Sequence, residues 1–357
     1  MNQLLSQSIS YLRFPLIIAV VFTHSASRVW SYLEDHELFE FVAFDQFSFF
    51  LSEVIARLAV PIFFFIAGLL FFNNVAKFDK QIYVEKIRSR FWSLVIPYLF
   101  WNSFALLVFF VAQNAPYVST LLSGRNALIA DYGVVDFVRV YWDSANGSPF
   151  LSTLWFLRDL IVVSLLSPIF YFAISRLGIF VVLSLGVVWF IGLLEMIGFS
   201  TAPWFFFAFG AFFSIRKVDF VKFVKKCGCF SLVAYPLLAI ADSSTMSYDI
   251  NIIIHKLGLL FGLIFIFSLV MNGLEQNKIK VNHFLMRMSF FLYVAHEPLL
   301  TFVVRLLAAL IKPESESPIF VIYLAAIIIS VLICMLVYHF LRKKLPSFLS
   351  FVSGGRG

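Results

Sequence analysis

Charge is what this sequence lacks. Only 13% of its 357 residues are Asp, Glu, Lys or Arg, where a soluble domain carries about a quarter. Cysteine is scarce too. Cys227, Cys229 and Cys334 are the whole supply, and a disulfide-stapled scaffold is excluded. Cys227-Gly-Cys229 has no His or Cys neighbours to complete a metal site, so no metal is expected. The first apolar block is not expected to be a cleavable signal. It carries Arg13 and His24 within it, and no small-residue cleavage site precedes the acidic stretch from Glu34 to Glu40.

What is abundant is apolar sequence, 61% of the chain, and it comes in blocks. A bilayer-crossing helix needs about 20 mainly apolar residues. Ten such blocks are read, at 12–30, 54–73, 92–113, 151–172, 177–197, 201–215, 230–241, 252–271, 288–311 and 319–341. The split between the fifth and sixth rests on the turn residues Gly198 and Pro203. The expected fold is an all-α polytopic membrane protein of about ten transmembrane helices, with N-terminus and C-terminus cytoplasmic.

Orientation follows from where the cations sit. Eighteen Lys and Arg fall in segments 74–91 and 216–229, at Arg176, around 278–287 and in the last sixteen residues. The opposite side holds only Arg28, Arg125, Arg139 and Lys312, and its first segment is acidic (Glu34, Asp35, Glu37, Glu40, Asp45, Glu53). That alternation obeys the positive-inside rule. The net charge of +7 therefore reads as membrane orientation, and no nucleic-acid partner is expected.

The informative residues are ionisable groups inside spans, where a charge costs several kcal/mol unless paired or hydrated. In the first span Arg13 and His24 are eleven positions apart, which places both on one helix face, roughly 16 Å from each other. The ninth holds Tyr293, His296, Glu297 and Pro298 near mid-membrane. The fourth opens on Trp155 and reaches Arg158 and Asp159. As neighbours on a helix these two point to different sides, so each is expected to pair elsewhere, with Glu195, His255 or Lys256 as candidates. At the mouth of the third span Lys86, Arg88 and Arg90 suit either lipid head groups or the phosphates of a nucleotide. On these residues alone, a transporter or flippase of a polar or lipid-linked substrate is as admissible as an enzyme.

Taken together the motifs resemble the membrane acyltransferase-3 family, bacterial enzymes that O-acylate cell-surface glycans. Arg13-x10-His24 matches its first-span pattern. Val60-Pro61-Ile62-Phe63-Phe64-Phe65-Ile66-Ala67-Gly68 matches the second, with Ala67 where Ser is usual. The basic mouth is Arg88-x-Arg90 where Arg-x-x-Arg is commoner, and Trp155-Phe156-Leu157 and Tyr293-x-x-His296 complete the set. The resemblance implies one transmembrane acyltransferase domain over 1–345 with a short cytoplasmic tail at 346–357, in the bacterial cytoplasmic (inner) membrane. It implies no permanently bound cofactor. The donor would be cytosolic acyl-CoA, most often acetyl-CoA, with its phosphates on Lys86, Arg88, Arg90 and Arg13. The acceptor would be a surface glycan or lipid-linked sugar. His24 would be general base or transient acyl carrier, with Arg13 as its catalytic companion, binding CoA phosphate or steering the thioester. Tyr293, His296, Glu297, Trp155, Arg158 and Asp159 would line the cavity or meet the substrate. The long outer segment 114–150, with Tyr117, Tyr132, Tyr141 and Trp142 among Asn126, Asp131, Asp136, Asp143 and Asn146, is the expected acceptor contact.

Overall fold

The computed structural model describes residues 2–36, 38, 41–75, 77–116, 118–119, 122, 127–143, 147–194 and 200–356. Expectations that fall on Glu37, Glu40, Tyr117, Arg125, Asn126, Asn146, Glu195 and Gly198 lie outside these residues. Every regular element among the described residues is helical. Seven helical stretches are long and apolar enough to cross a membrane: Gln3–Asp35, Val42–Phe71, Lys80–Asn114, Phe220–Ser244, Asn251–Glu275, His283–Ile311 and Glu316–Lys344.

In chain order, α1 is Gln3–Asp35. The second stretch contains α2 (Val42–Ser48) and α3 (Ala59–Phe71), joined by a π-helical turn over Phe49–Ile55. The third contains α4 (Lys80–Arg90) and α5 (Ile96–Asn114), joined by another over Phe91–Val95. Asp79 starts α4 by accepting from the Ile82 N–H at 2.9 Å. A short α6 (Val134–Arg139) follows. The fourth apolar block is not one straight helix. It divides into α7 (Trp155–Leu165) and α8 (Ser167–Leu177), bent by 59°. Pro168 is the cause, because it lacks an N–H and its ring crowds the Ser164 carbonyl. Next come two short helices, α9 (Ile179–Phe190) and α10 (Ala202–Ile215). The block read at 230–241 proves to be a 25-residue helix, α11 (Phe220–Ser244). The chain ends with α12 (Asn251–Glu275), α13 (His283–Ile311), α14 (Glu316–Lys344) and α15 (Pro346–Val352).

These elements form two compact units. The first comprises Met1–Leu16, Val54–Phe91 and Arg158–Met286. Its tightest joint is the crossing of α3 and α10, where Gly68 lies against the Phe207 carbonyl and Gly210 against the Phe65 carbonyl. Small residues let helix backbones touch in this way. Phe65, Phe213, Phe220 and Phe267 fill the space beside the crossing, ring on ring.

The second unit comprises Ile17–Glu53, Trp92–Leu157 and Arg287–Gly357. Its core joins α1, α2, α13 and α14 through Val21, Val29, Leu33, Phe44, Leu300, Val304, Ile319 and Tyr323. α15 is docked in this unit: the Trp101 indole donates to the Val352 carbonyl at 2.9 Å. Arg356 donates to the Ser93 carbonyl at 3.1 Å and lies 4.0 Å over the Phe290 ring. Pro97 leaves that carbonyl without its usual helical donor, and Arg356 supplies one.

Candidate functional site

Residues on α1 and α13 meet in pairs that ascend together along both helices. The His24 and His296 rings lie 5.6 Å apart. Arg28 forms an ion pair with Glu297, and Asp35 pairs with Arg305 at 2.6 Å. The two helices therefore run parallel. Arg28 is one helical turn beyond His24 on the same face, and Glu297 follows His296 directly.

The His296 ring is fully buried and its orientation is set by the backbone. Its Nδ1 lies 3.0 Å from the Leu292 carbonyl and 2.7 Å from the Tyr293 carbonyl. Carbonyls only accept, so Nδ1 carries the proton and Nε2 of the neutral ring keeps its lone pair. Nε2 itself is buried and has no hydrogen-bond partner. Glu297 is 2% exposed. Besides Arg28 it accepts from the Ser152 hydroxyl and the Thr153 N–H, both at 2.9 Å. A buried carboxylate needs such neutralisation, and losing one partner of a buried pair costs about 3–5 kcal/mol. Tyr293 donates to the Thr153 carbonyl at 2.7 Å and meets Phe156 edge-on at 5.9 Å.

The stretch of α1 around His24 is held from both sides. Thr23 donates to the Ser52 carbonyl and the Ser52 hydroxyl to the Phe22 carbonyl, each at 3.1 Å. Ser25 donates to the Tyr323 carbonyl at 3.1 Å, and the Tyr323 and Ser52 hydroxyls share a further bond. Ser52 belongs to the π-helical turn, the kind of irregularity that often sits at functional sites.

Of the sequence candidates, His24, His296, Glu297 and Tyr293 are thus brought together. Trp155 opens α7 directly after Ser152 and Thr153. Arg158 and Asp159 belong to the first unit and depart from expectation. They pair with each other, Arg158 Nε to Asp159 Oδ1 at 2.9 Å, with both side chains buried. Neighbouring Cβ atoms diverge, but the long arginine chain curls back where no water competes for its charge. Of the partners expected for them, Glu195 lies outside the described residues, and the other two make contacts of their own. His255 Nδ1 lies 2.8 Å from Asp242, and Lys256 donates to the Trp189 and Phe190 carbonyls at 3.1 Å.

The basic mouth is also sorted. Lys86 and Arg90, one turn apart on α4, lie 5.2 and 5.7 Å over the Phe71 ring, while Arg88 is exposed on the other side. Two residues beyond Phe71, Asn73 lines a cavity of about 490 Å³ with Asn2, Asn74, Lys217 and Asp219. Arg13, earlier on α1, is half-buried in the same unit. Among the described residues no three His, Cys, Asp or Glu side chains are placed to hold a metal ion.

The described part of segment 114–150 is tied to α5 at two levels. Gln113 holds the backbone of Ala127 and Ile129 at one level of α5. Fifteen residues back along the same helix, Tyr98 donates to the Tyr141 carbonyl, and the Tyr141 hydroxyl bonds Ser103 at 2.7 Å. That separation on α5 is about 22 Å. The segment returns past Asn102, which accepts from the Leu151 N–H at 3.1 Å, and delivers Ser152 and Thr153 to Glu297.

The site is thus a buried His296 in ring contact with a half-buried His24, with a neutralised carboxylate beside them, set within a helical membrane protein. A family model described as Acyltransferase domain matches residues 6–339. The chain belongs to that family, the membrane acyltransferases met above. It is similar to the succinoglycan biosynthesis protein ExoH of Rhizobium meliloti (strain 1021), 28% identical over 180 residues. The match spans 49% of this chain and 45% of that protein, so about half of each. No solved structure matches.

Proposed function

We propose that the protein moves an acyl group from cytosolic acyl-CoA to a hydroxyl of an extracytoplasmic glycan or glycolipid. The observation that carries this reading is the ring contact of His24 with the buried His296, whose Nε2 lone pair has no partner. Acyl transfer to an alcohol needs such a base. The acceptor oxygen attacks the thioester carbonyl, an imidazole takes the hydroxyl proton, the C–S bond breaks and the thiolate leaves with a proton. His24 serves as that base or as a transient acyl carrier. Family membership supports the reaction type, and similarity to a succinoglycan biosynthesis protein supports a glycan acceptor. Acetyl is the expected acyl group, and the bacterial inner membrane the expected location.

Lys86 and Arg90 take the donor phosphates on this reading, beside the polar cavity next to Phe71. The ten-span arrangement with both termini inside rests on the apolar blocks and the distribution of cations, and the parallel course of α1 and α13 is compatible with it. Parallel spans are separated by an odd number of crossings, and seven lie between the first and ninth of ten. The outer segment, with Tyr141 held along α5, is the acceptor contact.

The test is direct. Purified protein in detergent, given labelled acetyl-CoA and a crude surface-glycan acceptor, is expected to label the glycan. His24→Ala abolishes labelling and His283→Ala preserves it; equal activity in both variants would remove His24 from the chemistry. Lys86→Ala and Arg90→Ala are each expected to raise the apparent KM for acyl-CoA on the order of tenfold, as loss of a charged hydrogen bond does. Exposed Arg88→Ala should change it less. An unchanged KM in all three would make these cations lipid anchors. A transporter instead would leave the thioester intact, so absence of thiol release with any acyl-CoA sinks the enzyme reading.

A further inference from the structure

Arg28 was not a candidate from sequence, yet it stands at the centre of the site. It lies one turn from His24, and its guanidinium is held by Glu297, which follows His296 in the chain. Nη2 makes the ion pair and lies 3.4 Å from the Ser152 hydroxyl. Its Nε–H is buried and has no hydrogen-bond partner. Buried donors are normally satisfied, so an orphan one calls for an explanation. The same cluster contains a second orphan of opposite kind, the His296 Nε2 acceptor. Ester formation needs both an acceptor for the hydroxyl proton and a donor for the oxygen that becomes negative.

We propose that Arg28 is a catalytic residue whose Nε–H stabilises the oxyanion of the tetrahedral intermediate. The inference rests on the acyl-transfer reading and assigns it a group that the family resemblance did not supply. When the acceptor oxygen bonds to the thioester carbon, the carbonyl π electrons move onto oxygen, and that charge is met by Arg28. The hydroxyl proton passes to an imidazole. The intermediate then collapses, the C=O bond re-forms, the C–S bond breaks, and the thiolate takes the proton. Nothing is oxidised or reduced. Glu297, with Ser152 and the Thr153 N–H fixing both its oxygens, reacts with nothing. It positions the guanidinium, so that the donor is in place before charge develops, which is what makes such stabilisation effective. The planar fork matters: one edge is held by the carboxylate while Nε remains for the substrate, an arrangement a lysine cannot reproduce.

The competing account is that Arg28 only balances the buried charge of Glu297. A double-mutant cycle separates the two. Arg28→Met alone leaves a buried carboxylate unpaired and is expected to harm folding on either account. The double variant Arg28→Met/Glu297→Gln removes both charges and should restore a monodisperse protein. If Arg28 carries the oxyanion, kcat for thiol release from acetyl-CoA with glycan acceptor stays down on the order of a hundredfold to a thousandfold, with KM for the donor kept. A double variant with near wild-type kcat overturns the inference. Should the double variant not fold, Arg28→Lys decides, since it keeps the charge opposite Glu297 but loses Nε. The expected result is a folded enzyme with kcat reduced and KM unchanged, and wild-type kcat overturns the proposal. Wild-type protein that releases no thiol defeats the acyl-transfer reading and this inference with it. An active wild type with an active Arg28→Lys defeats this inference alone.

Discussion

Gly68→Val and Gly210→Val are each expected to lose the folded protein, read as collapse of the monodisperse peak and of the thermal midpoint in detergent. A Cβ on Gly68 would stand 2.0 Å from the Phe207 carbonyl oxygen, and one on Gly210 would stand 1.9 Å from that of Phe65. Both obstacles are backbone, so no rotamer change relieves them and α3 and α10 must separate. Over-packing a core ordinarily costs about 1–3 kcal/mol. Here two helix backbones, with the phenylalanines packed beside them, must move, and about 3 kcal/mol or more is expected. Gly258→Ala on α12 is the control. A Cβ there meets nothing within 4 Å, and the exchange should be neutral or stabilise by up to about 1 kcal/mol through helix propensity. Wild-type midpoints for both valine variants would mean the helices cross at a larger distance.

Gly68 also illustrates how much could be read in advance. The small-Gly pair Ala67-Gly68 was visible in the sequence, but its reason, the approach of α10, depends on a partner 140 residues away in the chain. Apolar blocks of the right length fix that the chain is a helical membrane protein, because few other folds absorb them. Breaks inside blocks are subtler. Ser167-Pro168 lay within the fourth block and could have announced the bend after Leu165. Buried ionisable residues were equally legible, since lipid makes each of them conspicuous: His24, His296 and Glu297 were singled out and do converge.

Arg28 was passed over because it counted among the outer-side cations. The signal that could have found it is its spacing of four from His24, which keeps both on one helix face. Ser152, Thr153 and Ser52 were missed for a different reason. Short hydroxyl residues are common at span ends, and only the packing of α13 against the returning outer segment shows what they bond. Arg158 pairs with Asp159 although neighbouring Cβ atoms diverge, because its side chain is long enough to turn back, and Cβ spacing alone does not reveal this.

His296→Phe is expected to fold and to transfer acyl groups on the order of a hundredfold to ten thousandfold more slowly, the range of a lost general base. A fully enclosed histidine is most often a core residue, and a core role would be kept by a ring of similar volume. The structure gives a reason to expect otherwise: the backbone carbonyls of Leu292 and Tyr293 consume the Nδ1 proton, fixing the tautomer whose lone pair faces away from them. That lone pair is buried and without a partner, which a packing role does not call for. Phenylalanine retains the contact with His24 but has neither nitrogen, so loss of kcat with an unchanged thermal midpoint shows that a His296 nitrogen, not its bulk, serves the reaction. His296→Asn adds a second reading. If one nitrogen suffices to position His24, the amide recovers part of the rate. If proton acceptance is the role, both variants stay equally slow. A His296→Phe enzyme with wild-type kcat would return His296 to the core and leave His24 to act alone.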